Sequence, residues 1–205
     1  MVQAEQTSRR AATEARILDA ALDVFSAHGF RGATLDGIAR AAGMSKPNLL
    51  YYFATKDEMH IALIDGLLDT WLDPLERIDP AGDPIEELRA YIRRKLGMAR
   101  EYPRESRLFA NEIVQGAPRI MPLLSGRLRA LVRMKSAVIR QWIDEGRLAP
   151  VDPAHLLFAI WATTQHYADF DVQVRAILDT DDPARFDTAQ ATLEALFVEG
   201  LRPRD

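Results

Sequence analysis

The segment that decides the fold is TLDGIARAAGMSKPNLLYYFATK, residues 34–56. It predicts two short helices joined by a tight turn and followed by the start of a third helix. Thr34 and Ser45 can cap the first two helices, because a side-chain oxygen accepts from an unpaired backbone N–H. Gly43 lies between them, where a residue of positive φ can end a helix and turn the chain. The pattern is a helix-turn-helix, which is typical of proteins that read the major groove of DNA.

The second helix of this segment carries side chains that suit phosphates and base edges. The predicted base or groove contacts are Lys46, Asn48 and Tyr51, and the predicted phosphate contacts are Thr34, Tyr52 and Lys56. Lys56 also starts a helix, whose first N–H groups favour a phosphate. For Ser45, a capping role alone and a phosphate contact are both open, and one of the two tyrosines is expected to serve the core as well.

The surroundings of this segment carry a family resemblance. An amphipathic helix is predicted over 13–28, with Thr13 as its cap, and a capping box is predicted over 55–58. Residues 17–63, with FSAHGF at 25–30 and YYFATK at 51–56, resemble the DNA-binding domain of the TetR family of transcriptional regulators. That resemblance implies a homodimer that binds a near-palindromic double-stranded operator in response to a small molecule.

The rest of the chain also reads as helix. The predicted helices are 56–77, 84–101, 103–115, 121–145, 153–178 and 183–200, separated by breaks rich in Gly and Pro. We therefore expect an all-α, TetR-like protein in three parts. These are a flexible arm over 1–11, which could be basic through Arg9 and Arg10, a three-helix DNA-binding domain over 12–55, and a six-helix ligand-binding and dimerisation bundle over 56–205. Dimerisation is expected through the last two long helices.

Composition argues against several other classes of protein. The chain has no cysteine, no glycine-rich phosphate loop and no metal-ligand spacing among its four histidines, so we expect no enzyme, no metal and no cofactor. It shows no apolar run that would span a membrane or act as a signal peptide, so we expect a cytoplasmic protein without a membrane partner.

Charge sets a limit on how DNA is bound. The whole chain has a net charge of −4, whereas residues 1–53 carry six basic and five acidic side chains, a net of +1. Bulk attraction to phosphate is therefore weak, and binding must depend on a few placed side chains.

A candidate effector site is read from polar and aromatic residues in otherwise apolar helices. Trp161, Gln165 and Asp169 follow at i, i+4 and i+8 and share one helical face. The predicted ligand-binding residues are Trp71, Phe109, Glu112, Trp161, Gln165 and Asp169. Pairing among neighbouring helices and ordinary core packing would explain each of them singly; their combination favours a pocket between helices.

A longer resemblance concerns the effector. Segments along most of the chain resemble the branch of the TetR family that controls pyrimidine utilisation, and they include WLDPL at 71–75, YIRRKL at 91–96, YPRESRLFANE at 102–112 and WATTQHYADF at 161–170. The resemblance implies uracil or thymine as effector. Gln165 could pair with the lactam edge of such a ring. The alternative is a TetR-like repressor of efflux or catabolic genes that responds to another planar or lipophilic ligand.

Overall fold

The computed structural model describes residues 2–203, with side chains from Thr7 onward, and contains no strand within that range. Its helices are α1 (Val2–Gly32), α2 (Leu35–Ala41), α3 (Lys46–Tyr52), α4 (Lys56–Glu76), α5 (Pro84–Glu101), α6 (Pro103–Val114), α7 (Met121–Leu123), α8 (Arg129–Asp144), α9 (Pro153–Asp169), α10 (Asp171–Leu178) and α11 (Arg185–Leu201). The predicted all-α fold is confirmed.

The chain divides into two compact units, and the division differs from a simple cut after the third helix. The first unit runs up to Asp69 and also includes Arg107–Met121, whereas the second comprises Thr70–Ser106 and the chain from Pro122 onward. The boundary falls within α4, and most of α6 belongs to the first unit.

The first unit is organised by the buried side of α1. Ile17, Ala21 and Phe25 are fully buried there, at helical spacing, together with Ile38 of α2 and Leu49 of α3. Burying the isoleucine, leucine and phenylalanine side chains stabilises the unit by about 1.5–3 kcal/mol each. These contacts fix the two short helices, which are too short to be stable alone.

The start of α1 differs from the prediction. The helix begins at Val2, so residues 2–11 are helical where a flexible arm was expected, and Met1 lies outside the described residues. Thr13 is not a cap, because its hydroxyl donates to the carbonyl of Arg9, one turn earlier. The predicted stop is confirmed: Gly29 has φ 65°, which interrupts the helical conformation.

The second unit packs α5 against α9 and α11, and α8 against α9. Trp142 of α8 is its largest fully buried side chain, and the indole N–H donates to the carbonyl of Pro80 at 3.0 Å. Ile92, Ile139 and Ile160 are likewise fully buried. This core holds the helices that carry most of the predicted effector residues.

Two predicted helices of the second unit are interrupted. The run 153–178 breaks at Phe170, whose φ of −113° and ψ of 26° separate α9 from α10. Asp171 then begins α10, and its carboxylate pairs with Arg175 and Arg185. The run 121–145 contains a π-helical turn, Leu124–Leu128, between α7 and α8. Hydrophobic periodicity alone does not reveal such local breaks.

Candidate functional site

The helix-turn-helix of the first unit is held by the two predicted caps. Thr34 Oγ1 accepts from the Gly37 N–H at 3.0 Å, and Ser45 Oγ accepts from the Asn48 N–H at 3.4 Å. Gly43 has φ 66°, so the turn uses a conformation that a side chain would strain. The hydroxyl oxygen of each cap accepts a hydrogen bond from the first turn of the helix that it starts. These bonds fix the direction in which α3 leaves the turn.

The exposed side of α3 carries the predicted groove contacts. Lys46 Nζ lies 3.0 Å from the carboxylate of Asp36 on α2, and both groups are exposed. Asn48 is exposed, and Tyr51 is exposed over 70 % of its surface. Tyr52 is half-buried, with its ring edge-on to that of Tyr51 at 5.2 Å. The expected division between one tyrosine facing outward and one partly serving the core is thus seen.

An arginine of α1 adds a positive charge to this surface. The guanidinium of Arg10 lies 5.8 Å from the ring centres of both Tyr51 and Tyr52, within cation–π distance. It also pairs with Glu14 at 2.8 Å, one turn further along α1. Because residues 2–11 are helical, Arg10 belongs to the same surface as α3.

Lys56 has a structural task in the first unit. Its ammonium donates to the carbonyls of Phe30 and Ala33 at 2.7 and 2.8 Å, and it lies 4.3 Å from the centre of the Phe30 ring. Two of the three N–H donors of Lys56 therefore bind carbonyls at the α1–α2 connection. A phosphate contact through the remaining donor stays a prediction.

A charged group surrounds the same ring, and we call Phe30, Lys56, Asp57, Glu112 and Arg119 the Phe30 cluster. The guanidinium of Arg119 lies 3.3 Å from the centre of the Phe30 ring and pairs with Asp57 at 2.9 Å. Glu112 is 1 % exposed, and its carboxylate accepts from the backbone N–H of Arg119 at 2.8 Å and from its guanidinium at 3.4 Å. The cluster ties the end of α6 and Arg119 to the end of α1 and the start of α4.

His60 closes the cluster from the inside. It is 2 % exposed and lies edge-on to the rings of Phe25 and Phe30, each 5.1 Å away. Burial lowers the pKa of His60, and the neighbouring Glu112 carboxylate opposes that shift only partly. The imidazole is therefore neutral at pH 7, and its 3.7 Å approach to Glu112 is not an ion pair.

The predicted effector residues are divided between the two units. Phe109, which is half-buried on α6, and Glu112 belong to the first unit, where Glu112 is engaged by Arg119. Trp71, Trp161, Gln165 and Asp169 belong to the second unit, where α9 carries the last three as predicted.

The second unit brings two of these residues together in the Trp71 cluster, which consists of the half-buried Trp71 and Asp169 and the buried Lys95 and Ser106. Lys95 is 5 % exposed, and its ammonium lies 5.5 Å from the centre of the Trp71 ring. Ser106 donates its hydroxyl to Asp169 at 2.5 Å. Burial lowers the pKa of Lys95 to about 8, although the Asp169 charge works against that shift.

The indole of Trp161 is anchored differently from that of Trp71. Its N–H donates to the hydroxyl of Tyr91 on α5, whereas the N–H of Trp71 is buried without a hydrogen-bond partner. Burial also raises the pKa of Tyr91, so its hydroxyl stays protonated. This hydrogen bond holds the Trp161 ring, which also packs against Phe158 with the ring centres 5.5 Å apart.

Sequence reasoning missed Lys95 and Arg119, which both hold central places in these clusters. Lys95 lies in the basic run RRKL and resembles a solvated residue, but it shares the helical face of the buried Tyr91, Ile92 and Leu96. That spacing was the available signal. Arg119 follows a turn with positive φ at Gly116 and Ala117, and no local pattern predicts its long-range partners.

Two further features are absent from the part of the chain that the structure describes. No helix there is long and apolar enough to cross a membrane. No group of three or more His, Asp or Glu side chains in residues 2–203 has the spacing to hold a metal ion.

Comparison with known families identifies the class of protein. The family described as "Bacterial regulatory proteins, tetR family" matches residues 17–63, and that described as "YcdC-like protein, C-terminal region" matches residues 64–204. The chain belongs to the TetR family of DNA-binding transcriptional regulators, which are not enzymes. Regulators of this family bind operator DNA and small-molecule effectors and act as dimers.

Individual relatives agree with this assignment. The chain is 47% identical over 190 residues to the HTH-type transcriptional regulator RutR of Escherichia coli (strain K12), covering 92% of this chain and 90% of that protein. Among solved structures, a TetR-like transcriptional regulator from Rhodococcus sp. RHA1 is 26% identical with a TM-score of 0.68, covering 91% and 93% of the two chains. AibR, solved with isovaleryl coenzyme A and operator DNA, has a TM-score of 0.72 at 18% identity, covers 90% and 97%, and shows the fold alone.

Proposed function

We propose that this protein is a transcriptional regulator that senses uracil or thymine and controls genes of pyrimidine metabolism. The observation that carries the proposal is the 47% identity, over nearly the whole chain, to a regulator of pyrimidine utilisation. The buried polar groups of the second unit support it, because a planar ring with carbonyl and N–H groups can satisfy them.

The ligand chemistry follows from the residues of the second unit. The amide of Gln165, half-buried on α9, offers one acceptor and one donor type to a lactam edge. The rings of Trp71 and Trp161 offer aromatic faces to the flat heterocycle. Asp169, on the same helix as Gln165, accepts a hydrogen bond from Ser106. For Phe109 and Glu112, a role in effector binding stays a prediction.

DNA recognition is assigned to the exposed face of α3 and to the caps that orient it. Lys46, Asn48 and Tyr51 are proposed to enter the major groove, and Thr34, Ser45, Tyr52 and Lys56 to contact the backbone around it. In a dimer the two recognition helices would meet successive grooves about 34 Å apart, so the operator should be a near-palindrome.

Dimerisation is proposed through α9, α10 and α11. Large apolar side chains on these helices are exposed in the single chain, including Phe158, Phe170 and Leu196 at 48 %, 56 % and 62 %. Covering them with the same helices of a second copy would remove this apolar area from water. The effector then acts by favouring one spacing of the two DNA-reading heads, with a coupling of about 1–3 kcal/mol.

A calorimetric titration of the protein with uracil, thymine, cytosine and adenine tests the effector. Saturable binding of uracil or thymine, together with a change in operator affinity on adding the same base, is expected. A protein that binds none of the four bases at millimolar concentration would contradict the pyrimidine assignment and favour a TetR-like regulator of efflux or catabolic genes.

A further inference from the structure

The second unit buries two lysines, and their surroundings differ. Lys135 of α8 is 6 % exposed, and its ammonium donates to the carbonyls of Glu76 and Ile78 at 2.8 and 2.7 Å. Lys95 of α5 is 5 % exposed, but its ammonium donates none of the hydrogen bonds found among the described residues. Lys135 therefore has a structural explanation, whereas Lys95 has only a cation–π contact and the attraction of Asp169.

A second donor beside Lys95 lacks an acceptor as well. The indole N–H of Trp71 is buried and has no hydrogen-bond partner, and the ring that carries it is the one that Lys95 approaches. The adjacent carboxylate of Asp169 accepts from Ser106. Buried polar groups are normally paired, and a buried charge without hydrogen bonds is costly. The Lys95 ammonium and the Trp71 N–H are thus two neighbouring donors of the cluster without a hydrogen-bond acceptor among the described residues.

We propose that Lys95 and the indole N–H of Trp71 recognise the effector through its oxygen atoms, so that the ligand must present carbonyl acceptors on one side of a flat ring. This inference rests on the proposed function and names the two donors that would select a pyrimidine-2,4-dione, the class to which uracil and thymine belong. Uracil and thymine carry two carbonyl oxygens, and the N–H between them suits the amide of Gln165. Cytosine replaces one carbonyl by an amino group. That group is a donor, and it would face the Lys95 ammonium or the Trp71 N–H, which each need an acceptor.

The arrangement gives specificity by leaving groups unpaired. A ring without the second carbonyl would keep one buried donor unsatisfied, and such losses distinguish ligands more strongly than missing apolar contacts do. The lowered pKa of Lys95 fits this role, because a carbonyl oxygen of the ligand would stabilise the ammonium that burial disfavours.

The test compares Lys95→Met with Lys135→Met in the full-length protein. Both variants replace a buried ammonium by an unbranched apolar chain. Uracil binding is measured by calorimetry, and the melting temperature is measured without ligand. For Lys95→Met we expect uracil affinity to fall at least about tenfold, since hydrogen bonds to charged groups contribute that much, with an unchanged or higher melting temperature. For Lys135→Met we expect a lower melting temperature, because two carbonyls lose their donor, and at most a twofold change in uracil affinity.

The outcomes separate this inference from the function on which it rests. Wild-type protein that binds uracil together with Lys95→Met that binds it equally well would overturn the inference and leave the pyrimidine assignment standing. Wild-type protein that binds no pyrimidine-2,4-dione would overturn both. Loss of uracil binding with a strongly lowered melting temperature for Lys95→Met would show a structural lysine like Lys135 and would also contradict the inference. Cytosine bound as tightly as uracil would contradict the requirement for two carbonyls.

Discussion

The Phe30 cluster and the Trp71 cluster both place cations on aromatic rings inside helical units, but they differ in how many donors are satisfied. Around Phe30, Lys56 donates to two carbonyls and Arg119 pairs with two carboxylates. Around Trp71, Lys95 donates no hydrogen bond within the described residues, and the indole N–H has no acceptor. Paired cations of this kind stabilise the fold, whereas the proposed ligand contact rests on the unpaired Lys95 ammonium and Trp71 N–H together.

Replacing Lys56 by Met should have the largest effect. The substitution leaves the carbonyls of Phe30 and Ala33 without their donor, so we expect the free energy of unfolding to fall by about 3 kcal/mol. Chemical denaturation measures it. Lys46→Met is the matched control, because its exposed pair with Asp36 contributes at most about 1 kcal/mol. Equal losses in the two variants would show that the Phe30 cluster adds no special stability.

Raising the pH should stabilise the protein through Lys95 of the Trp71 cluster. The folded pKa of Lys95, about 8, lies below its unfolded value, so the unfolded chain binds more protons above pH 8 and stability rises with pH. Between pH 8 and 9.5 we expect a gain of about 2 kcal/mol in wild-type protein relative to Lys95→Met. Parallel stability curves for the two proteins would show that Lys95 titrates normally.

Arg119→Met should weaken the Phe30 cluster moderately. It removes the pair with Asp57, the contact with Phe30 and one partner of the buried Glu112 carboxylate, so we expect a loss of about 1.5 kcal/mol. Because the cluster joins the end of α6 to the end of α1 and the start of α4, in the unit that carries α3, operator affinity should fall as well. Arg77→Met, whose exposed pair with Asp73 lies in the second unit, serves as the control in both assays. An equal loss of operator affinity in both variants would contradict the assignment.

Asn48→Ala should change stability least. Asn48 is exposed, and Ser45 accepts from its backbone N–H, which alanine retains, so the free energy of unfolding should stay within about 0.5 kcal/mol. Selectivity for the operator over random DNA should fall, because a base contact is lost while phosphate contacts remain. Competition binding at fixed salt measures the ratio, and an unchanged ratio would remove Asn48 from the recognition surface.

Local features were predicted from the sequence far better than long-range ones. The caps at Thr34 and Ser45 and the turn at Gly43 depend on neighbouring residues, and the structure confirms all three. The burial of Lys95 beside Trp71 and Asp169 depends on helices distant in the sequence. A lysine in a basic run is predicted to be solvent-exposed. Its burial becomes evident only from the helices that pack against its face of the helix.

The effector site was predicted in part for the same reason. The shared face of Trp161, Gln165 and Asp169 follows from helical periodicity within α9. The pairing of Ser106 with Asp169 and the contact of Lys95 with Trp71 join residues that lie 63 and 24 positions apart in sequence. No local sequence pattern predicts these two contacts. They are the contacts that place the unpaired Lys95 ammonium beside Trp71 and Asp169.

The most direct test follows the four lysine side chains by nuclear magnetic resonance while uracil is added. Lys46 lies on the DNA-reading surface, Lys56 in the Phe30 cluster, Lys135 under two carbonyls and Lys95 beside Trp71. With lysine labelled at the carbon that bears the ammonium, we predict that the signal lost in Lys95→Met shows the largest shift and titrates at higher pH once uracil is bound. A Lys95 signal that stays unchanged at saturating uracil would contradict the account.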